Sequence, residues 1–143
     1  MAATDRYRDQ HRDLLRTVGV LKALLNADAL ARNPEPAYDM MMTLAGKLKV
    51  HLTMEDQRLY PRLLAHDQAR IRDTARSFQS EMGNLMELYD AFLQRWVDPD
   101  SIRRAPDRYM GEVNEFLHRL LRRIEKEDHL LYGMVDELGT EEL

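Results

Sequence analysis

The chain has no cysteine, only six glycines and five prolines, and no long apolar run. The absence of cysteine excludes disulfide bonds, iron–sulfur clusters and metal sites built from thiolates. No apolar run approaches the roughly 20 residues that a membrane-spanning helix needs. The first residues carry charge where a signal peptide needs an apolar stretch. We therefore expect a cytoplasmic protein that has no membrane partner.

Charge and composition narrow the class of protein further. The 143 residues carry a net charge of −4, with 32% charged and 44% hydrophobic residues. This mixture is typical of one soluble helical domain with a charged surface, which we place at residues 1–143. The negative net charge gives no reason to expect a nucleic-acid partner.

Four amphipathic segments are predicted, each with apolar residues at alternating three- and four-residue spacing. They lie near residues 4–29, 36–65, 67–97 and 106–138, separated by breaks at 33–36, 66–67 and 98–100. The apolar stripe of the last segment continues through Leu130 and Met134. Short connections make neighbouring helices antiparallel, so the expected fold is all-α, an up-down-up-down four-helix bundle.

Several residues are predicted to mark the helix ends. Thr4 or Asp5 is the expected N-cap of the first helix, and Asp67 that of the third. Pro106 suits the first turn of the last helix, and Gly139 suits its C-terminal cap.

One helical turn is written twice in this chain. Residues 51–60 and residues 123–132, which begin 72 positions later, share the pattern Glu-Asp-x-x-Leu-Tyr. In the first copy His51 precedes Glu55 by four residues, so both side chains lie on one helix face and can bind one metal ion. In the second copy the histidine is replaced by Arg123, whose guanidinium has no lone pair to donate.

Polar residues interrupt the apolar stripes at similar heights in the expected bundle. His11, His51, Glu55, Arg123 and Glu127 are therefore predicted to converge. Burying ionisable groups together is costly unless they are paired with one another or bind a metal.

These motifs resemble those of the hemerythrin-like family, the HHE cation-binding domains. The resemblance covers nearly the whole chain, through residues 9–14 and 51–61 and more weakly through residues 127–132. It implies a four-helix bundle around a non-haem di-iron centre, in proteins that store or carry oxygen or sense oxygen, iron or redox state. It also implies that His11 and His51 bind one iron and that Glu55 and Glu127 bridge the two irons.

The positions that correspond to the histidine ligands of the second iron do not carry histidine in this chain. At a 71-residue offset Met82 corresponds to His11, and Arg123 stands where the fourth helix would supply a histidine. We therefore predict one divalent ion, iron in preference to zinc or manganese, bound by His11, His51, Glu55 and Glu127. The residues expected around it, or in place of the second iron, are Arg123, Met82, Tyr7 and Tyr60.

Three interpretations of function remain open at this point. The first is a metal-binding sensor of oxygen, redox state or metal, with O2 or a regulatory protein as a further partner. The second is a regulatory or interaction module without metal, in which Arg123 pairs with the two glutamates. The third is a di-iron oxygen-binding protein that recruits Glu81 or His118 as additional ligands. No constellation for acyl, glycosyl or phosphoryl transfer is visible, so no enzymatic activity is predicted.

Overall fold

The computed structural model describes residues 3–138, and over this range the chain is all-helical without a strand. The all-α prediction is confirmed. Two π-helical turns, Glu55–Leu59 and Glu127–Leu131, each connect two α-helices into one continuous run. The helices are α1 (Asp5–Ala23), α2 (Ala27–Arg32), α3 (Glu35–Met54), α4 (Tyr60–Leu64), α5 (Ala69–Arg95), α6 (Pro99–Arg104), α7 (Pro106–Lys126) and α8 (Tyr132–Leu138). Among the described residues, no helix is both long enough and apolar enough to cross a membrane.

The structure contains two short helices that were not predicted. α2 overlaps the end of the first predicted segment, and α6 lies at the break predicted at residues 98–100. The first long helix ends at Ala23 and not near residue 29, because Asn26 begins a separate helix by accepting a hydrogen bond from the Ala29 N–H at 3.1 Å. Asp98 begins α6 in the same way, by accepting from the Ser101 N–H at 2.8 Å. Each short side-chain cap satisfies a free N–H of the first turn and so stabilises a helix of six residues.

The predicted helix ends are confirmed in part. Thr4 stands at the N-terminal boundary of α1, but its hydroxyl donates to Asp136 at 2.7 Å and does not cap the helix. The prediction that Asp67 is the N-cap of the third long helix is wrong. The N-cap of α5 is Gln68, whose backbone is still extended, so the helix begins one residue later than predicted. Pro106 is the first residue of α7, as expected. Gly139 lies outside the described residues.

The long helices pack in pairs that bring distant parts of the sequence together. α1 contacts α3 and α7, and α5 contacts α4 and α7. The short helices α2 and α6 contact each other and also α7. These contacts bury the predicted stripes: on α5, for example, Ile71, Phe78 and Tyr89 are all buried.

The apolar core consists of two clusters of side chains. The larger contains Leu14, Leu48, Met82, Leu120 and others, and the smaller contains Tyr7, Leu59, Phe78, Leu131, Tyr132 and others. On three of the four long runs, all except α5, buried polar residues stand between members of the two clusters. The buried polar and charged residues among those described are Thr4, His11, Thr17, His51, Glu55, Arg123 and Glu127. Five of these seven are the residues that were predicted to converge. We call these five residues the polar layer: His11, His51, Glu55, Arg123 and Glu127.

Candidate metal centre

Both copies of the repeated motif form a π-helical turn. The Tyr60 N–H bonds to the Glu55 carbonyl, and the Tyr132 N–H bonds to the Glu127 carbonyl, five residues back in each case. On an α-helix two residues five apart point about 140° away from each other. The wider π turn reduces this angle, so the glutamate and the tyrosine of each copy face the same side.

The second π turn also corrects the predicted stripe of the last helix. Leu130 was expected to face the core, but it is 57% exposed, and Leu131 and Tyr132 are buried instead. A π turn inserts one residue into the helical period, which rotates every following side chain relative to an unbroken α-helix. Met134 remains buried.

Three side chains from three helical runs converge on one point in the polar layer. His11 Nε2 lies 3.1 Å from His51 Nε2 and 2.9 Å from Glu127 Oε1, and His51 Nε2 lies 3.5 Å from the same oxygen. All three residues are buried, and together they form a group that could hold a metal ion.

These spacings can be compared with the edges of a coordination polyhedron. Nitrogen and oxygen ligands bind first-row metals at about 2.1 Å, which separates two ligand atoms by about 3.0 Å at a right angle and by about 3.4 Å at a tetrahedral angle. The three distances in the site, 3.1, 2.9 and 3.5 Å, cover the same range. The residues therefore fit a single divalent ion.

The outer ring nitrogens of the two histidines determine which form of the imidazole is present. His11 Nδ1 donates to Asp128 Oδ1 at 2.8 Å, and His51 Nδ1 donates to Gln10 Oε1 at 2.7 Å. When the neutral ring carries its proton on Nδ1, the lone pair is on Nε2. In neutral form with the proton on Nδ1, both histidines therefore direct their Nε2 lone pairs at each other and at a carboxylate oxygen, and either a metal ion or a proton on one Nε2 would relieve the repulsion.

Glu55 lies at the edge of this group. Its Oε1 is 3.2 Å from His51 Nε2 but makes no hydrogen bond, although the side chain is fully buried. Its Oε2 accepts a hydrogen bond from the Tyr132 hydroxyl at 2.8 Å. A buried carboxylate oxygen without a donor is costly, so Glu55 Oε1 is a candidate fourth ligand atom.

The charges of the site favour an ionised Glu127. Burial alone would raise the pKa of Glu127, but hydrogen bonds from His11 and His51 and the charge of Arg123 hold it well below the usual range. Burial alone would lower the pKa of His51, but the Glu127 and Glu55 carboxylates outweigh this effect and raise it to about 9. Both directions show that the pocket between these groups favours positive charge.

Arg123 occupies the second half of the polar layer. Its Nε donates to Glu127 Oε2 at 2.7 Å, on the side of the carboxylate away from the histidines. Its Nη2 donates to the Tyr60 hydroxyl at 3.3 Å, and its guanidinium lies 4.7 Å from the centre of the Phe78 ring. Arg123 is therefore a fixed internal cation beside the candidate ligands.

The two halves of the site follow the internal repeat of the sequence. At the 71-residue offset Gln10 corresponds to Glu81, and each supports the residue opposite it: Gln10 bonds to His51, and Glu81 Oε2 lies 3.5 Å from Arg123 Nη1. Met82, the counterpart of His11, is buried in the larger apolar cluster. The repeat is thus preserved in position, with ligand-type residues in one half and a cation in the other.

The remaining predicted residues lie at different distances from the centre. The Tyr7 ring packs edge-on to His51 and stacks on Tyr132. Tyr60 reaches the site through its hydrogen bond with Arg123. Glu81 is exposed on α5, and His118 is exposed on α7. The structure therefore brings His11, His51, Glu55, Glu127, Arg123 and Tyr60 together and leaves His118 outside.

The sequence interpretation missed three residues that contact the site, namely Tyr132, Gln10 and Asp128. The signal for Tyr132 was the tyrosine retained in both copies of the motif, but its direction depends on the π turn. Gln10 and Asp128 adjoin His11 and Glu127 in the sequence, and α-helical spacing directs neighbouring residues to different faces. Their contacts arise because each reaches across to a histidine on another helix.

We expect Tyr132→Phe to lower the free energy of unfolding by about 1–3 kcal/mol, because Glu55 then loses its tyrosine donor while it remains buried. The measurement is urea unfolding of the chelator-treated protein. The matched control is Tyr60→Phe, which removes a weaker contact, 3.3 Å from Arg123, and should cost less. Equal losses in the two variants would argue against a special role of the Tyr132 hydroxyl.

Comparison with known proteins identifies one family. Residues 2–135 match the family described as the hemerythrin HHE cation binding domain. No curated protein and no solved structure matches the chain.

Proposed function

Since the chain belongs to the hemerythrin HHE cation-binding family, we propose that it binds one divalent metal ion through His11, His51 and Glu127, with Glu55 as a fourth ligand. The observation that carries this proposal is the convergence of two imidazole Nε2 atoms and one carboxylate oxygen within 3.5 Å of one another. The Nδ1 atoms of His11 and His51 already donate to Asp128 and Gln10, so the lone pairs on the two Nε2 atoms are available to a metal.

The donor set supports a borderline transition metal. Two imidazoles and two carboxylates suit iron, zinc and manganese, and the chain has no thiolate that would favour a softer ion. We propose iron as the resident metal because the resemblance described above is to a family with a non-haem iron centre. A bound iron would supply a redox-active centre, which supports a role as a sensor of oxygen, redox state or metal.

We propose a single ion because Arg123 stands where a second ion would need a ligand. Its guanidinium offers no lone pair, and its positive charge would repel a second cation held by Glu127 Oε2. Met82 offers only a thioether, which is a poor ligand for a hard ion. Reversible two-electron binding of oxygen by two irons is therefore not the function that we propose.

The residues around the proposed ligands have separate tasks. Asp128 and Gln10 keep the two imidazoles in the form that presents Nε2 to the ion. Tyr132 holds one oxygen of Glu55, and Arg123 holds one oxygen of Glu127, so each carboxylate presents its other oxygen inward. The two apolar clusters on either side exclude water from this layer.

We also propose that the four long helical runs form an up-down-up-down bundle and that residues 1–143 are one domain. The contacts of α1 with α3 and α7, and of α5 with α4 and α7, support this arrangement. In such a bundle the polar layer crosses the interior at one height, which is where metal sites of helical bundles are built.

Removal of metal tests the proposal. With free metal at about 100 times its dissociation constant, we expect the melting temperature to rise by roughly 5–10 °C over that of the chelator-treated protein. Differential scanning calorimetry with iron, zinc and manganese in turn measures this shift. The alternative function, a regulatory or interaction module without metal, predicts the same melting temperature with and without chelator.

A further inference from the structure

A groove of about 870 Å³ lies between α5 and the run formed by α7 and the second π turn, outside the candidate metal centre. Its lining carries four cations, Arg119, Arg122, Arg123 and Lys126, and two anions, Glu81 and Glu125. The lining therefore has a net charge of about +2 when its two histidines are neutral. An excess of positive charge within one groove attracts anions.

The inner end of this groove contains a buried donor that lacks a hydrogen bond. Arg123 is only 6% exposed, and its Nη1 has no hydrogen-bond partner. The other two nitrogens of the same guanidinium are hydrogen-bonded, to Glu127 and to the Tyr60 hydroxyl. An unpaired buried donor on a cation is unfavourable, so Nη1 is a site at which an added acceptor would be stabilised.

An internal carboxylate lies close to this position. Glu81 Oε2 is 3.5 Å from Arg123 Nη1, within ion-pair distance but without a hydrogen bond to it. The Lys126 ammonium holds the same carboxylate at 2.8 and 2.9 Å, and the Glu81 side chain is about half exposed. The Glu81 carboxylate thus lies within ion-pair distance of two cations of the groove, and its exposure allows it to move aside.

We propose that this groove binds a phosphate group, which replaces the Glu81 carboxylate between Arg123 and Lys126. A phosphate has enough oxygens to accept from Arg123 Nη1 and from Lys126 together, and Arg122 is exposed nearby without an ion pair to any described residue. A charge near −2 matches the net charge of the lining. The proposal does not depend on the metal ion.

Inorganic phosphate and the phosphate group of a small organic molecule are both compatible with the shape of the groove. Its volume exceeds that of inorganic phosphate, and its wall includes the apolar side chains Leu85 and Leu130. Leu130 is 57% exposed, so an organic group attached to the phosphate would have an apolar surface to cover. The two sources share the same recognition by the cations.

The test is isothermal titration of the full chain, treated with chelator so that phosphate cannot bind to a metal. Inorganic phosphate and phenyl phosphate are the two probes, at constant ionic strength set with sodium chloride. We expect saturable binding of one phosphate group per chain. Tighter binding of phenyl phosphate would support a phosphorylated small molecule, and equal binding would support inorganic phosphate.

Substitutions locate the binding. The double variant Arg122→Gln and Lys126→Gln should weaken binding at least about tenfold. The control with the same change in charge is Arg103→Gln with Arg104→Gln on α6, outside the groove, and it should leave the affinity unchanged. Glu81→Gln should tighten binding by roughly three- to fivefold, because it removes the competing carboxylate.

Three results would overturn the proposal. They are no saturable binding of either probe, equal weakening by the groove variant and the α6 variant, and weaker binding by Glu81→Gln. Failure of metal binding would leave these results unaffected, since the titration uses the chelator-treated protein.

Discussion

Replacing His51 with alanine is expected to reduce bound metal from one ion per chain to below about 0.1. His51 Nε2 lies near both Glu55 and Glu127, at 3.2 and 3.5 Å, and its loss leaves His11 as the one imidazole among the proposed ligands. Loss of one of three or four ligands weakens a buried metal site by several orders of magnitude. Elemental analysis after gel filtration measures the change.

The control for this variant is His118→Ala. His118 is an exposed histidine on α7, and the di-iron interpretation of the sequence recruited it as an additional ligand. The control should retain one metal ion per chain and the metal-dependent rise in melting temperature. If His51→Ala retained its metal while remaining folded, the assignment of the ligands would be wrong.

Replacing Arg123 with methionine is expected to lower the free energy of unfolding of the metal-free protein by about 3–5 kcal/mol. The substitution keeps an apolar side chain beside Phe78 but leaves Glu127 Oε2 without its cation. Removing one partner of a buried ion pair costs this much because the other charge stays in the interior. Urea unfolding with and without metal measures the loss, which should be smaller when an ion partly neutralises Glu127.

Arg119→Met on the same helix is the matched control. Arg119 is exposed and pairs with Glu115 at 3.1 Å, so its replacement should change the free energy of unfolding by less than about 1 kcal/mol. A loss below about 1 kcal/mol for Arg123→Met as well would contradict the role of Arg123 as an internal cation.

A second variant asks whether Arg123 stands in for an ion. Arg123→His combined with Met82→His places imidazoles at the two positions that correspond to His51 and His11 in the repeat. We expect the metal content of this double variant to exceed one ion per chain, because Glu127 Oε2 then loses its guanidinium and gains nitrogen ligands nearby. Unchanged metal content in a folded double variant would show that the second half needs more than these two residues.

The helical stripes and the polar layer could be predicted from the sequence because both follow the α-helical period. His11, His51 and Arg123 interrupt apolar stripes, and all three are buried. The period of 3.6 residues is local, so it is visible in the sequence without knowledge of packing. The duplicated motif then indicated which residues of different helices belong to one layer.

The orientation of Tyr132 could not be predicted by the same reasoning. It depends on a change of helical period within the motif, from α to π, that begins at Glu127. Composition and spacing do not reveal such a turn, because its hydrogen bonds differ from those of an α-helix by only one residue. The error for Leu130 has the same cause.

The contacts of Gln10 and Asp128 depend on tertiary structure. Each is bonded to a histidine on another helix. The pairing therefore depends on how the two helices are rotated and shifted relative to each other, and a displacement of about 1 Å would break it. The short helix α6 was missed because Pro99 indicated a break, and α2 was missed because the first segment was predicted to continue to residue 29. Asn26 and Asp98 showed their capping role only when the following N–H groups were located.

The number of metal ions per chain is the most direct test of the central claim. The measurement is elemental analysis of the full chain, purified once under air and once without oxygen, after removal of loosely bound metal. We predict one tightly bound divalent ion per chain in both preparations. Two ions per chain, or none in either preparation, would contradict a single-ion centre formed by His11, His51, Glu127 and Glu55.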